Sequence, residues 1–184
     1  MSAKGPTNRM RKRVSGLAVL FIVLGLSLIH ISRVLDLFAG TGQLGIEALS
    51  RGAERCDFVE HDKTAYNIVY KNTQSARVAD RAALHRAEAE EFVSCAGRRQ
   101  YDLIFLDPPY GGVILENALL QIETFDILST DGIIICESAV GDRFAHGFEV
   151  VRERRYGATM ITVLRRQNGG TDERHENCDL PGQL

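Results

Sequence analysis

The chain has 184 residues, of which 45% are hydrophobic and 25% are charged, a composition typical of one globular domain and not of a disordered or low-complexity protein. The formal net charge is −2 at pH 7, but the first 32 residues carry five Lys or Arg and no acid. Residues 33–184 therefore hold the remaining 17 of the 22 bases against all 24 acids, and this acidic balance disfavours non-specific nucleic-acid binding by the body of the chain.

Residues 14–31 form a long apolar stretch that follows a basic start. Taken alone, the stretch resembles a signal peptide or a membrane anchor. The alternative is a buried helix, which we favour because Gly16, Gly25 and His30 interrupt the run and no small-residue cleavage site follows it. A third interpretation is that the stretch is foreign to the domain. We therefore treat residues 1–32 as an atypical basic and apolar N-terminal segment.

From residue 33 onward, strand-like and helix-like patterns alternate. The patterns predict strands at 34–38, 55–60, 82–86, 101–106 and 132–137. They predict helices at 43–51, 63–76, 88–95 and 114–125. Two further strand-like runs, 148–155 and 158–164, flank Tyr156-Gly157 and are typical of an antiparallel hairpin. The alternation predicts an α/β domain at 33–165, a mostly parallel sheet covered by helices on both faces.

The remaining composition bears on compartment and termini. The four cysteines, Cys56, Cys95, Cys136 and Cys178, form neither a C-x-x-C pair nor a Cys/His cluster, and Cys56 and Cys136 lie in apolar runs expected in the core. We therefore predict a cytoplasmic protein without disulfides and without a metal site. Residues 166–184 are polar and lack periodicity, which predicts a disordered tail.

A glycine-rich loop follows the first predicted strand. Gly40, Gly42 and Gly45 match the G-x-G-x-x-G spacing, which lets the backbone turn sharply and lets a ligand approach closely. Because ligands of doubly wound sheets bind at the carboxyl ends of the strands, we expect a cofactor at this loop. The cofactor contacts predicted here are Asp36, Phe38, Ala39, Gly40, Thr41 and Gly42.

Two acids follow the next two predicted strands. Glu60 lies 18 residues after Gly42, where a carboxylate can accept both hydroxyls of a ribose, and the alternative is a solvated acid at a strand end. His61 either flanks an adenine or is a surface side chain. Glu88 either meets an adenine amine or caps the helix that follows it. These features fit an adenine dinucleotide or another adenosine ligand.

The segment Asp107-Pro108-Pro109-Tyr110 closes the apolar strand 101–106. Two prolines cannot continue a central strand, and the residue before a proline is held in extended geometry. The turn gathers a carboxylate, backbone carbonyl oxygens and an aromatic ring, which suits an exocyclic amine of a nucleobase that stacks on Tyr110. Hydrogen bonds to the Asp107 carboxylate and the Pro108 carbonyl favour a tetrahedral nitrogen, whose lone pair can attack a methyl group. The plain alternative is a structural turn.

Together these motifs resemble class I S-adenosylmethionine-dependent methyltransferases, and more closely the bacterial 16S rRNA guanine-N2 methyltransferase family. The resemblance is carried by 34–42, 45–53, 58–60 and 105–110, and it extends over residues 33–165. It implies a Rossmann-like seven-stranded sheet ending in a reversed hairpin. It also implies that Asp36, the glycine loop and Glu60 hold S-adenosyl-L-methionine, and that Asp107, Pro108, Pro109 and Tyr110 meet a guanine of rRNA or of the small ribosomal subunit.

The N-terminus departs from the family pattern. Pro6-Thr7-Asn8-Arg9-Met10-Arg11 is similar to a family motif, but the basic hairpin that usually precedes it is absent and the helix that follows is replaced by the apolar stretch.

Several alternatives stay open. All of adenine, cytosine and guanine present an exocyclic amine, so a DNA adenine-N6 or cytosine-N4 methyltransferase fits the turn as well. A NAD-binding Rossmann oxidoreductase fits the loop, and a non-catalytic binding module fits an altered N-terminus. We expect a monomer with no stable protein partner and no membrane association.

Overall fold

The computed structural model describes residues 33–98, 100–109 and 112–167. The predicted N-terminal segment 1–32, Tyr110 of the predicted site, and the tail from residue 168 onward lie outside the described residues. None of the helices in the described ranges is long and apolar enough to cross a membrane.

Strands and helices alternate in the predicted order. The strands are β1 Arg33–Asp36, β2 Arg55–Val59, β3 Ala82–His85, β4 Tyr101–Leu106, β5 Leu128–Ala139, β6 Glu149–Tyr156 and β7 Thr159–Arg165. The helices are α1 Gln43–Ser50, α2 Lys63–Ser75, α3 Ala89–Cys95 and α4 Gly112–Thr124, with a 3-10 turn at Ala79–Arg81. Apart from β5, each predicted boundary lies within two residues of the observed one.

Strand β5 is longer than its apolar core suggests. It begins four residues before the predicted start, because Leu128 is fully buried and pairs with Tyr101 of β4. The pairing shifts register before Leu103 meets Ile133, and it then runs regularly. The polar residues Ser129, Thr130 and Asp131 conceal the first part of the strand in the sequence.

The seven strands form one sheet in the order β3-β2-β1-β4-β5-β7-β6. Strands β1 to β5 are parallel, whereas β7 is antiparallel to both β5 and β6. The predicted fold, a mostly parallel sheet with a C-terminal antiparallel hairpin, is confirmed. Because the carboxyl ends of parallel strands meet at one edge, the residues after β1, β2, β3 and β4 lie at a common edge.

The two faces of the sheet carry two hydrophobic clusters. Alternate residues of β1 divide between them, with Val34 packed on the side of α1 and α2, and Leu35 packed on the side of α3 and α4. Both side chains are fully buried, and burial of each contributes about 2 kcal/mol through removal of apolar surface from water. The continuously apolar strands of the sequence are explained by helices on both faces.

Gly45 sets how closely α1 approaches the sheet. A Cβ atom at this position would lie 2.3 Å from the Phe58 ring and 2.6 Å from the Cys56 sulfur. Both of these β2 side chains are buried, so they have little room to move. The third glycine of the motif therefore permits close packing of the helix against the strand, and the first turn of α1 is held directly beside the ligand edge.

Candidate active site

The glycine loop between β1 and α1 adopts the conformation that its sequence predicts. Gly40 and Gly42 have φ angles of 53° and 76°, in the left-handed region that favours glycine. The Gly42 N–H donates to the Ala39 carbonyl oxygen at 2.6 Å, and the Ala39 N–H donates to the Val59 carbonyl oxygen at 3.0 Å. On the outer side, the Asn72 side chain of α2 donates to the Thr41 carbonyl oxygen at 2.8 Å. The loop is thus fixed from both sides before any ligand binds.

Asp36, the last residue of β1, holds the end of this loop through a hydrogen bond. Its side chain is buried, and its Oδ2 atom accepts a hydrogen bond from the Gly45 N–H at 3.0 Å. Burial raises the pKa of Asp36 to about 7, against the lowering effect of the Gly45 hydrogen bond and with further raising by Asp107 and Glu60. Asp36 therefore positions the loop and the first turn of α1, and it belongs to a group of three neighbouring carboxylates.

Glu60 binds the loop from the end of β2. Its Oε2 atom accepts from the Gly40 N–H at 2.9 Å, and its Oε1 atom accepts from the Asp62 N–H at 2.8 Å. A carboxylate has about four acceptor positions, so both oxygens keep capacity for ligand hydroxyls. The His61 ring lies 3.5 Å from the Glu60 carboxylate, and its side chain is 61% exposed. The structure therefore brings Glu60 to the loop and leaves His61 at the rim.

Glu88 and Phe38 line a cavity of about 410 Å³ between the β1 end, α3 and α4. Glu88 is the N-cap residue of α3, but its side chain makes no capping hydrogen bond. The wall opposite Glu88 includes Ile114 and Asn117 of α4. An apolar cavity with a few polar groups at its mouth suits a flat heterocycle. Of the two sequence interpretations of Glu88, the structure places the residue at the cap position and also at the cavity.

Asp107 and Pro108 lie at the end of β4 and line a second cavity, of about 130 Å³. Both residues are half-buried, whereas Pro109 is exposed. The other walls of this cavity come from α4, the end of β5, the loop after β5, and the β6–β7 turn with the first residue of β7. They include Gly112, Leu115, Glu137, Ser138, Ala139, Asp142, Ala158 and Thr159.

Glu137, near the end of β5, lies at the candidate site and is absent from the residues that the sequence motifs predicted. It is buried, with 8% of its surface exposed, and it shares the second cavity with Asp107. One signal was present in the sequence, because an acid ends the otherwise apolar run Gly-Ile-Ile-Ile-Cys-Glu. The register of β5 against β4, which the sequence does not show, is what places this acid beside Asp107.

The fold is the Rossmann-like fold of class I methyltransferases. A conserved hypothetical protein of Streptococcus pyogenes matches with a TM-score of 0.72 at 30% identity, over 82% of this chain and 94% of that one. An RNA methyltransferase of Salinibacter ruber, solved with S-adenosyl-L-homocysteine, matches with a TM-score of 0.64 at 16% identity, over 92% of this chain and 98% of that one. The second likeness concerns the fold alone.

Residues 8–165 match the family described as Conserved hypothetical protein 95, and the chain belongs to that family. It is 37% identical over 145 residues to YlbH of Bacillus subtilis, covering 73% of this chain and 76% of YlbH. It is 34% identical over 112 residues to ribosomal RNA small subunit methyltransferase D of Haemophilus influenzae, covering 60% of this chain and 58% of that enzyme. Relatives of the chain thus include an enzyme named as an rRNA methyltransferase.

Proposed function

We propose that the protein is an S-adenosylmethionine-dependent rRNA methyltransferase, and that it methylates the N2 amine of a guanine in small-subunit rRNA. The observation that carries the proposal is the common position of the glycine loop and of the Asp107-Pro108 turn, at the carboxyl ends of the neighbouring strands β1 and β4. Family membership and the naming of relatives support the same function.

The cofactor half of the site consists of the glycine loop, Glu60, His61 and Glu88. The loop backbone from Phe38 to Gly42 faces the methionine portion, while Glu60 accepts hydrogen bonds from the ribose hydroxyls. Phe38 and Glu88 enclose the adenine in the cavity of about 410 Å³. S-adenosylmethionine supplies an electrophilic methyl group on a positively charged sulfur. The acids Glu60 and Asp107 give this edge a negative potential that favours such a cation.

The substrate half consists of Asp107, Pro108, Pro109 and Tyr110. The Asp107 carboxylate and the Pro108 carbonyl accept hydrogen bonds from the guanine amine and turn its lone pair toward the methyl group. When bound, the cofactor would supply its methyl group to that nitrogen and leave as S-adenosylhomocysteine, and the Asp107 carboxylate would accept the proton that the nitrogen releases. Tyr110 lies outside the described residues, and its ring is the group that we propose for stacking on the extruded base. Catalysis therefore rests on positioning and electrostatics.

Strand β6 offers a surface for the RNA backbone. It is the edge strand of the sheet and is exposed along most of its length. Its residues Arg152, Arg154 and Arg155 form no ion pair within the described ranges, and the strand leads to the turn that lines the second cavity. On an otherwise acidic domain, three neighbouring arginines near the site favour phosphate contacts.

The proposal is tested by transfer of labelled methyl groups to small-subunit rRNA and to small-subunit particles. Asp107→Ala is expected to lower kcat by well over tenfold, since about 1.4 kcal/mol of transition-state stabilisation corresponds to tenfold. Asp80→Ala, at an exposed acid of the 3-10 turn, is the matched control and is expected to keep full activity. Equal product from the wild type and from Asp107→Ala would refute the role of Asp107. Calorimetric binding of NAD(H) without binding of S-adenosylhomocysteine would refute the function.

A further inference from the structure

We propose that Glu137 is the residue that selects guanine, by accepting a hydrogen bond from the N1–H of the base while Asp107 accepts from the N2 amine. The inference rests on the proposed function, and it assigns the base specificity that Asp107-Pro108-Pro109-Tyr110 alone leaves undecided. It follows from the register of β4 and β5, from the burial of Glu137 and from the cavity that both acids line.

The register brings Asp107 and Glu137 to neighbouring positions at the ends of β4 and β5. The last paired residues of β4 and β5 are Leu106 and Cys136. Asp107 and Glu137 directly follow them in the chain. Leu106 and Cys136 both belong to the cluster on the α3 and α4 side. Glu137 pairs with Ile161 of β7, which belongs to the cluster on the α1 and α2 side, so the cavity lies at the sheet edge where both faces meet. Both acids line the cavity of about 130 Å³.

Three further segments line the partly open cavity. Leu115 of α4 is buried and supplies an apolar wall, whereas Ala158 lies in the β6–β7 turn and Thr159 is the first residue of β7. Glu137 is more than nine-tenths buried. A buried acceptor of this kind contributes strongly to recognition when a ligand donor meets it, and it penalises a ligand that presents a lone pair instead.

Two adjacent acceptors match only one of the three amino-bearing bases. Guanine presents its N1–H beside its N2 amine, which makes two neighbouring donors on the Watson–Crick edge. Adenine presents an N1 lone pair beside its N6 amine, and cytosine presents an N3 lone pair beside its N4 amine. With the amine at Asp107, adenine and cytosine would each direct a lone pair at the Glu137 carboxylate. The arrangement therefore favours guanine and rejects both alternatives.

The test compares Glu137→Gln with the wild type on two RNAs. One is an rRNA substrate with its mapped target guanine, and the other carries 2-aminopurine there, which keeps the 2-amine but replaces N1–H by a lone pair. The wild type is expected to favour guanine in kcat/KM. Glu137→Gln is expected to reduce that preference by about 10- to 100-fold, because its amide can donate to the N1 lone pair of 2-aminopurine. The loss of O6 from 2-aminopurine affects both proteins and cancels in the ratio.

Controls separate specificity from folding. Glu54→Gln makes the same change at an exposed acid just before β2, away from the cavity, and is expected to keep the wild-type preference. S-adenosylhomocysteine is expected to bind Glu137→Gln and the wild type equally. A preference unchanged in Glu137→Gln would overturn the proposal. So would wild-type protein that methylates both RNAs equally, a result that needs no variant at all. Absence of methyl transfer to every RNA would instead refute the proposed function itself.

Discussion

The two halves of the site are built in different ways. On the β1–β2 side, Asp36 and Glu60 accept hydrogen bonds from the loop N–H groups of Gly45 and Gly40, so the acids shape the backbone that a ligand would meet. On the β4–β5 side, Asp107 and Glu137 come from segments about 30 residues apart and line a cavity directly. Variants in the first half should therefore act on stability and cofactor affinity, whereas variants in the second half should act on transfer and substrate.

The largest expected effect is the pH dependence of stability that Asp36 brings. Its pKa in the folded protein is about 7, above the ordinary value of 3.8, because the side chain is buried. The folded state thus binds the Asp36 proton more tightly than the unfolded state does. Protonated Asp36 therefore makes its full contribution to the free energy of unfolding below pH 4, and this contribution is lost as pH rises through 7. The loss is on the order of 4 kcal/mol.

Asp36→Asn is the variant that isolates this effect, since its amide oxygen can still accept from the Gly45 N–H. Urea unfolding of the wild type and of Asp36→Asn is measured from pH 4 to pH 8. The difference in unfolding free energy is expected to shift in favour of the variant as pH rises. If the difference in unfolding free energy stays constant over this pH range, Asp36 does not change its protonation state in the folded protein as expected.

A smaller effect is expected for Glu60→Gln, which tests the cofactor half alone. The amide can accept one of the two backbone hydrogen bonds but opposes the other with its own donor. We expect the Kd for S-adenosylhomocysteine to rise by about 10- to 100-fold, equivalent to about 1.4–2.7 kcal/mol. Transfer at saturating cofactor should change little. Calorimetry measures the affinity, and Glu54→Gln is the control. A large fall in kcat without a change in Kd would contradict the assignment of Glu60 to cofactor binding.

The smallest expected effect concerns the arginines of β6. The double variant Arg152→Ala/Arg154→Ala should weaken rRNA binding several-fold at low salt and leave S-adenosylhomocysteine binding intact. The slope of log K against log salt should become shallower by about 0.7 to 0.9 for each phosphate that the variant no longer neutralises. Arg55→Ala, at an exposed position at the amino end of β2, is the control. An unchanged slope would exclude β6 from the RNA path.

The sequence predicted the turn of the glycine loop and the strand-end position of Glu60, because both depend on local features, whereas their contacts with a cofactor remain a prediction. The loop from Phe38 to Gly45 and the acid Glu60 are short motifs at strand ends, and their geometry follows from glycine conformations and the parallel sheet. The predicted core positions of Cys56 and Cys136 are confirmed as well. The hydrogen bond from the Gly45 N–H to the Asp36 carboxylate was not predicted, because the spacing of residues does not show which atom accepts a hydrogen bond.

The second half was predicted only in part, because its walls come from distant segments. Asp107 and Pro108 were identified because two consecutive prolines directly after a strand are rare. Glu137, Ser138 and Thr159 carry no motif in the sequence and reach the cavity of Asp107 only through strand pairing. The early start of β5 at Leu128 was hidden for a related reason, since a tertiary contact with Tyr101 overrides the polar residues that follow it.

The most direct test of the central claim is the identity of the methylated nucleoside. Small-subunit rRNA or small-subunit particles are incubated with the protein and labelled S-adenosylmethionine, the RNA is digested to nucleosides, and the label is assigned by mass spectrometry. We expect N2-methylguanosine with the wild type and its absence with Asp107→Ala. Label in N6-methyladenosine or N4-methylcytidine, or transfer to DNA alone, would contradict it.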